Sequence, residues 1–575
     1  MKTKNPLGYF SFVLHSHIPY VMSHGRWPHG TDWLNEASAE SYIPLLNVLT
    51  SILERGGNPS CAVGLTPVLC EQLSSQAFKE EFTAYLENRL EAVRNDRKDF
   101  SGSGKTEFNA LTAFWERFYE NVLRSFRERY SGDIIGGFRR LRDEGSVEIL
   151  TSAATHGYLP LLGTDEAVKA QILVGKSSYM RHFGEEPKGI WLPECAYRPR
   201  YHWTSPVSDK LSFERRGVEE FLGEAHIKFF FVDSHMLKGG KAIGVYLDRF
   251  KALKEMWERS ILEMVEKPVQ ERSHLVPYLV SSPSEPHLRE PISFFTRDPR
   301  TAVQVWSGER GYPGDGNYLE FHKKHFPGGI RYWRVTASKS DLARKETYVP
   351  ENAFGRIPEN AMHFVSLVKE ALIGHHKRFG TPGMLCAPYD TELLGHWWFE
   401  GVQWFETVLR IIDEDDMIEA LSPRRYLEKF PPRTVVSLPE GSWGEGGFHY
   451  VWLNSWTEWT WKLIHEAELS MNSISAEARQ ADRSEFYRVL KQAIRELLLL
   501  ESSDWQFLIS TWSARDYAEG RVERHYEDFT SLIRLLEKLK HGERLSVEEI
   551  TFLSSVEERD NLFPDIDPLQ YSRAP

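Results

Sequence analysis

The chain has little cysteine, no excess of positive charge and no long apolar run. Its 575 residues include four cysteines, and no two of them form a CxxC pair. We therefore expect a reduced, cytoplasmic protein rather than a disulfide-stabilised one. No stretch approaches the ~20 apolar residues of a membrane span, and the N-terminal residues lack the pattern of a signal peptide. These absences predict no association with a membrane.

The formal net charge of −12 argues against a nucleic-acid partner. What the chain has in quantity is aromatic residues, 13% of the total, with 18 Trp and 23 Tyr. Aromatic rings stack on the apolar C–H faces of sugars, so this composition suits a neutral, hydroxyl-rich substrate. Large barrels and helical bundles also bury many aromatics, which is the structural alternative.

Short apolar segments that read as buried strands recur along the first two thirds of the chain. They lie at residues 8–14, 61–69, 147–151, 188–193, 228–233, 301–307 and 383–388. Helical segments separate them, which is typical of an α/β fold with a parallel sheet. Seven strands over this length favour a barrel with insertions.

The domain organisation follows from changes in pattern along the chain. Residues 1–400 read as a catalytic barrel that contains a helical excursion at 75–145 and a charged insertion at 245–290 near the site. Residues 401–560 show helical periodicity and read as a C-terminal helical domain that completes the cleft. The tail at 561–575 reads as irregular.

The segment GIWLPECAYRPR, residues 189–200, places an acid directly after a strand-like run. Barrel enzymes hold their chemistry at the carboxyl ends of strands, so Glu194 is a candidate catalytic residue. An exposed glutamate in a loop after a core strand is the alternative.

A second acid has the same placement. Asp390 follows the apolar run at 383–388, so the two acids are expected to face each other across one mouth. Glycoside cleavage with retention requires such a pair, with one carboxylate as nucleophile and the other as acid/base. Alternatively, Asp390 caps the helix that follows.

Histidines and a tryptophan follow other predicted strands. His15 and His17 end the first strand and could ligate a metal, as in barrel deacetylases, or contact a substrate. Alternatively, they are buried as hydrogen-bonded core groups. His156 follows a later strand. Trp306 ends the segment at 301–307 and fits either a core position or a sugar platform.

Several motifs together resemble glycoside hydrolase family 57, and within it most closely the 1,4-α-glucan branching enzymes. They are HSHIPY (15–20), the His156 segment, GIWLPECAY (189–197), YDTELLGHWWFEG (389–401), LPEGSWG (438–444), VWLN (451–454) and ESSDWQF (501–507). The resemblance covers nearly the whole chain. It implies an incomplete (β/α)7 barrel with an inserted subdomain and a C-terminal α-helical domain.

The resemblance also implies roles for residues. Glu194 is the implied nucleophile and Asp390 the implied general acid/base. The implied substrate-binding residues are Arg297, Gly314, Trp443, Asp504, His17, His156, Trp306 and Trp452. In the branching enzymes of this family a mobile loop carries a tyrosine that excludes water, for which Tyr246 and Tyr278 are candidates here.

The implied activity is retaining cleavage of an α-1,4-glucan and transfer to a 6-hydroxyl group, as in glycogen synthesis. No metal or cofactor is implied, and the partner is an α-glucan bound by a monomer or homodimer. An α-amylase or 4-α-glucanotransferase would use the same chemistry. A metal-dependent polysaccharide deacetylase and an inactive glucan-binding module are more distant alternatives.

Overall fold

The computed structural model describes residues 6–208, 211–238, 271–282, 291–337, 339–477 and 483–571. A mostly parallel sheet forms its centre. The strands are β1 (Gly8–Ser16), β2 (Cys61–Leu65), β3 (Val147–Ser152), β4 (Ile190–Trp191), β5 (Tyr201–Thr204), β6 (Ser212–Arg215), β7 (Phe229–Asp233), β8 (Tyr278–Val280), β9 (Ile292–Arg297), β10 (Gly383–Asp390), β11 (Ile418–Ala420) and β12 (Val435–Val436). All of them belong to the central sheet except β5 and β6, which form a separate antiparallel pair.

Seven of these strands close into a ring. Parallel pairing runs β9-β10-β1-β2-β3-β4, and β7 pairs with the other edge of β9. A single bridge between Gly189 and Phe229 joins the start of β4 to β7 and completes the circuit. The contact of β9 with β10 is also short, with Cys386 opposite Arg297. The predicted incomplete (β/α)7 barrel is confirmed, and these two contacts are its weak seams.

Helices surround the ring and form the C-terminal region. They are α1 (Thr31–Ala37), α2 (Ile43–Glu54), α3 (Pro67–Ser74), α4 (Gln76–Gly102), α5 (Asn109–Arg124), α6 (Ile134–Asp143), α7 (Asp165–Phe183), α8 (Val218–Glu224), α9 (Ser234–Lys238), α10 (Pro299–Trp306), α11 (Pro350–Phe379), α12 (Gly401–Glu414), α13 (Pro423–Lys429), α14 (Glu458–Glu477), α15 (Arg483–Leu500), α16 (Ser503–Thr511), α17 (Arg515–Lys540) and α18 (Val547–Arg559). Among the described residues, none of these helices has the length and apolar character to cross a membrane.

The strand predicted at 301–307 is wrong, because this segment is helix α10. Asp298 caps the helix by accepting a hydrogen bond from the backbone N–H of Thr301 at 2.8 Å, and Pro299 occupies the first turn. An Asp-Pro pair at a helix start outweighs the β-branched residues that follow it. The sixth barrel strand is β9, whose apolar sequence Ile-Ser-Phe-Phe-Thr-Arg ends just before this cap.

The barrel strands are buried on both faces. Every residue of β1 is buried, and its Phe12 packs against Phe364 of α11 and Trp404 of α12. Helices on the outside and large side chains within explain why these strands read as continuous apolar runs rather than alternating ones.

Other boundaries differ in detail from the sequence predictions. The region with helical periodicity after residue 401 is interrupted after Thr511, and a new helix begins at Arg515. Strands β11 and β12 lie beyond residue 400 and still pair with the barrel sheet. Residues 245–270 and 283–290 of the predicted insertion lie outside the described residues, and residues 271–282 supply β8. The division into domains stays a prediction.

A buried ionic cluster ties the loop after β1 to the C-terminal helices. His24 Nε2 lies 2.6 Å from Asp560 Oδ1, and Arg559 Nη2 lies 2.5 Å from Asp560 Oδ2. His525 of α17 pairs with Glu496 of α15 at 2.7 Å in the same cluster. The side chain of Asp560 is completely buried. Its charge is therefore supported only by the groups around it.

Asp560→Ala should destabilise the protein by about 1–3 kcal/mol, because it leaves the buried ring nitrogen of His24 and the guanidinium of Arg559 without their shared acceptor. Thermal unfolding followed by circular dichroism measures the effect. The control is Asp565→Ala, whose side chain is 62% exposed in its pair with Arg181 and should change stability by about 0–1 kcal/mol. Equal small losses in both variants would show that the cluster does not hold the two regions together.

Candidate active site

The carboxyl ends of the barrel strands collect the residues singled out from the sequence. Asp390 is the last residue of β10 and Arg297 the last residue of β9. His17 directly follows β1, and His156 and Glu194 lie in the loops after β3 and β4. These residues therefore share the end of the barrel at which barrel enzymes hold their active sites.

Glu194 is buried there and its carboxylate accepts two side-chain hydrogen bonds. Trp443 Nε1 donates to Oε2 at 2.9 Å, and Ser503 Oγ donates to Oε1 at 3.1 Å. The backbone N–H of Trp443 also donates to the carbonyl oxygen of Glu194 at 3.1 Å. Donors on both oxygens fix the direction of the carboxylate and favour its charged form, as a nucleophile requires.

Burial raises the pKa of Glu194 to about 8, and the charges of Asp390 and Asp504 add to the rise. The hydrogen bond from Trp443 opposes it. Because like charges disfavour a second ionisation, Glu194 and Asp390 together retain a proton near neutral pH. A double displacement also starts with one carboxyl group protonated and the other ionised, but it requires the proton on Asp390 rather than on Glu194.

Two further tryptophans pack against Trp443, the residue that donates to the Glu194 carboxylate. The ring of Trp443 meets Trp191 edge-to-face at 5.1 Å and Trp306 at 5.7 Å between centroids. Trp306 is 3% exposed and ends helix α10. Trp306 is thus as buried as Trp443, and its contact with sugar stays a prediction.

Arg297 lies beside the same ring, with its guanidinium carbon 5.5 Å from the centroid of Trp443. It forms a buried ion pair with Asp233, the last residue of β7. Although burial alone would raise the pKa of Asp233, the guanidinium holds it well below the ordinary value. The pair places two opposite charges, which cancel, in the wall of the site.

The histidines stack on one another beside Glu194. The rings of His17 and His156 lie 4.0 Å apart, and His15 Nε2 lies 3.0 Å from His156 Nε2. Burial lowers the pKa of His15 and of His156 well below the ordinary value, so both are neutral. His156 Nδ1 is 2.9 Å from Ser503 Oγ, and His17 Nε2 is 2.8 Å from Asp504 Oδ2. The stack thus joins the barrel to the start of α16.

The backbone at the site is strained. His156, Glu194 and Cys195 have φ values of 63°, 60° and 49°, in the left-handed region that side chains rarely adopt. Such residues cost free energy and are found preferentially at functional sites. The turn after β4 uses this conformation to direct the Glu194 side chain into the site.

Trp452 and Gly314, which were predicted to bind sugar, both have a structural role in the fold. Trp452 is fully buried and stacks on Tyr158 at 4.6 Å, so it supports the wall of the site from behind. Gly314 lies in a tight turn where a Cβ atom would be 2.1 Å from the carbonyl oxygen of Gly308, so only glycine fits. A direct contact of either residue with sugar stays a prediction.

Sequence reasoning missed three residues of the site. Ser503 directly precedes Asp504 in the motif ESSDWQF, but its hydrogen bond to Glu194 depends on the placement of α16. Trp191 lies within the segment that revealed Glu194 and stacks on His15 at 4.8 Å. Asp233 is an acid at the end of an apolar strand, as Asp390 is. The rule that led to Asp390 would therefore have found Asp233 from the sequence.

His17, His156 and Asp504 are the residues near Glu194 that could hold a metal ion, with ligand atoms within 4.8 Å of one another. Hydrogen bonds already engage these atoms: His17 with Asp504, and His156 with Ser503 and His15. The hydrogen bonds account for the arrangement without an ion. Independence from metal stays a prediction.

Comparisons with known proteins agree with this geometry. The family model described as glycosyl hydrolase family 57 matches residues 11–439. A second model, described as the C-terminal region of 1,4-α-glucan branching enzyme, matches residues 463–571.

Three relatives illustrate the likeness. A 1,4-α-glucan branching enzyme of Thermococcus kodakarensis is 43% identical, over 97% of this chain and 77% of its own length. The crystal structure of a branching enzyme from Pyrococcus horikoshii has a TM-score of 0.87 at 41% identity, covering 99% of this chain and 97% of the other. The α-amylase AmyC of Thermotoga maritima has a TM-score of 0.78 at 28% identity, covering 99% of both chains.

The seven-stranded barrel with acids at two strand ends defines a carbohydrate-active enzyme of the glycoside hydrolase class. The match of the family model to most of the sequence makes the assignment specific. The chain belongs to glycoside hydrolase family 57.

Trp443→Phe should lower kcat roughly 10- to 100-fold, because it keeps a ring in the site but removes the hydrogen bond to the Glu194 carboxylate. Steady-state kinetics on amylose measures the loss. Trp191→Phe is the matched control, since the indole nitrogen of Trp191 has no hydrogen-bond partner in the structure. A loss as large in Trp191→Phe would assign the effect to packing.

Glu194→Gln should change the pH dependence of stability. The unfolded chain ionises Glu194 near its ordinary pKa of 4.5, whereas the folded chain keeps the proton up to about pH 8. Wild-type stability therefore falls as pH rises through this window. The variant carries no ionisable group at this position and escapes this loss. The difference in stability between variant and wild type should therefore shift in favour of the variant as the pH rises from 4.5 to 8. Urea unfolding at several pH values measures the difference, and a constant difference would contradict the raised pKa.

Proposed function

We propose that this chain acts as a 1,4-α-glucan branching enzyme, which cuts an α-1,4-glucan and transfers the cut chain to a 6-hydroxyl group. The family, the 43% identical relative and the C-terminal match to branching enzymes all support this function. The C-terminal match favours branching over hydrolysis as the main activity.

The observation that carries the proposal is the entry of the C-terminal helices into the site. Helix α16 lies within the region matched to branching enzymes, and its first turn supplies Ser503 to Glu194 and Asp504 to His17. A region that contacts the nucleophile can govern which acceptor reaches the sugar.

In the first step, Glu194 attacks the anomeric carbon and Asp390 donates its proton to the leaving O4. The glycosidic C–O bond breaks, and a covalent bond from the sugar to a Glu194 oxygen forms. The donors Trp443 and Ser503 favour the ionised form of Glu194, so we expect the proton that Glu194 holds in the free protein to move to Asp390 when glucan binds.

In the second step, Asp390 takes the proton from the 6-hydroxyl group of an acceptor glucose. The acceptor oxygen attacks the anomeric carbon and displaces Glu194, which restores both carboxyl groups and forms an α-1,6 branch. Water in place of the acceptor gives hydrolysis through the same residues.

Of the two tyrosines suggested as water shields, only Tyr278 lies among the residues that the structure describes. Tyr278 is buried in β8, where its hydroxyl donates to the carbonyl oxygen of Ser273 and its ring stacks on Phe294. This contact gives Tyr278 a role in the core. Tyr246 lies outside the described residues and remains the candidate for the shield.

We also propose residues 1–400 as the catalytic domain, residues 401–560 as the helical domain that completes the glucan cleft, and residues 561–575 as a tail. The four cysteines are buried and unpaired, which supports a cytoplasmic location. We expect a monomer or homodimer that needs no cofactor.

Hydrolysis is the second candidate function. The α-amylase of Thermotoga maritima shares the fold over the whole chain at 28% identity. Since both activities pass through the same covalent intermediate, the exclusion of water separates them.

Incubation with amylose tests the proposal. We expect debranching of the product to release new short chains, with few new reducing ends formed during the incubation itself. A chelator should not change the result, whereas it would abolish metal-dependent deacetylation. Glu194→Gln should abolish branching and hydrolysis together. New reducing ends without branches would identify an amylase instead.

A further inference from the structure

Two indole rings lie on the surface at the far end of helix α16. Trp512 directly follows this helix and is 54% exposed, and Trp456 beside it is half-buried. Their ring centroids are 5.5 Å apart at an angle of 61°. The guanidinium carbon of Arg515 lies 5.3 Å from the centroid of Trp512. We call Trp456, Trp512 and Arg515 the indole platform.

The platform is linked to the active site by two continuous stretches of chain. Helix α16 begins with Ser503, which contacts Glu194, and nine residues at 1.5 Å each place Trp512 roughly 14 Å further along the helix. Trp456 lies four residues beyond Trp452. The side-chain amide of Asn454 donates to Ser510 Oγ at 2.8 Å and fixes this loop against α16.

The backbone of Trp512 is unusual for its position. It has φ 58° and ψ 19°, the left-handed conformation that commonly ends a helix, where glycine is the usual residue. A bulky side chain there costs free energy, and a ring more than half exposed regains little of it by burial. Strain of this kind also marks His156 and Glu194 in the active site.

We propose that the indole platform binds an α-1,4-glucan chain outside the catalytic cleft. Exposed indole rings stack on the apolar C–H faces of glucose units, and a distance of roughly 14 Å suits a chain that extends from the cleft over several units. The platform therefore favours long glucans over short ones. The identity of the ligand rests on the proposed function.

Trp512→Gly is the informative variant, since glycine removes the ring and relieves the left-handed strain. Its unfolding temperature should equal or exceed that of the wild type. Trp512→Phe keeps an aromatic ring and should retain part of the binding. Phe379→Ala is the matched control, because Phe379 is 46% exposed with Arg378 at 5.4 Å and ends α11 at the opposite end of the barrel.

Binding is measured in proteins that also carry Asp390→Asn, by affinity electrophoresis in amylose gels and by calorimetry with maltotriose. Trp512→Gly should weaken amylose binding roughly two- to tenfold and leave maltotriose binding unchanged. In proteins with Asp390 intact, kcat/KM should fall on amylose but not on short maltooligosaccharides.

Unchanged amylose binding in Trp512→Gly would overturn the proposal. Equal losses on long and short glucans, or an equal loss in Phe379→Ala, would also overturn it. If Trp512→Gly did not fold, Trp512→Phe and Trp456→Ala would decide by the same comparison. Binding is measured without turnover, so this test does not depend on the reaction that the enzyme catalyses. If the wild type hydrolysed amylose without branching it, the proposed function would be refuted, but the binding comparison would still decide on the indole platform.

Discussion

The hydrogen bond from Ser503 to Glu194 joins the two halves of the molecule at the reacting carboxylate. The barrel supplies Glu194 from the turn after β4, and the C-terminal helices supply the donor from the first turn of α16. The contact of Asp504 with His17 reinforces the junction at 2.8 Å. The site is therefore complete only when both halves are folded against each other.

Burial is the second constraint, and it acts on acids and bases in opposite directions. It raises the pKa of Glu194 and lowers the pKa values of His15 and His156. Both shifts remove charge from the region around the reacting sugar. The positive charge that remains nearby, on Arg297, is neutralised by Asp233. The left-handed backbone of Glu194 adds strain to the same region, so function here is maintained at a cost in stability.

Much of the fold and the centre of the site could be predicted from local patterns. Six of the seven barrel strands were located from short apolar runs. Two of these runs are followed by an acid, which led to Glu194 and Asp390. The segment at 301–307 failed because its β-branched residues resemble a strand, whereas the Asp-Pro cap at 298–299 decides for a helix. Ser503 could not be assigned, since its partner lies 309 residues away in the chain.

The sequence by itself determined the residue types, the positions of six barrel strands along the chain and the family, because these depend on local periodicity and on motifs that need no neighbours in space. Only the tertiary structure decided which groups meet. It placed Trp443 and Ser503 on the two oxygens of Glu194 and packed Trp306 against the ring of Trp443. Burial and hydrogen bonding arise between segments distant in the chain, so no local pattern records them.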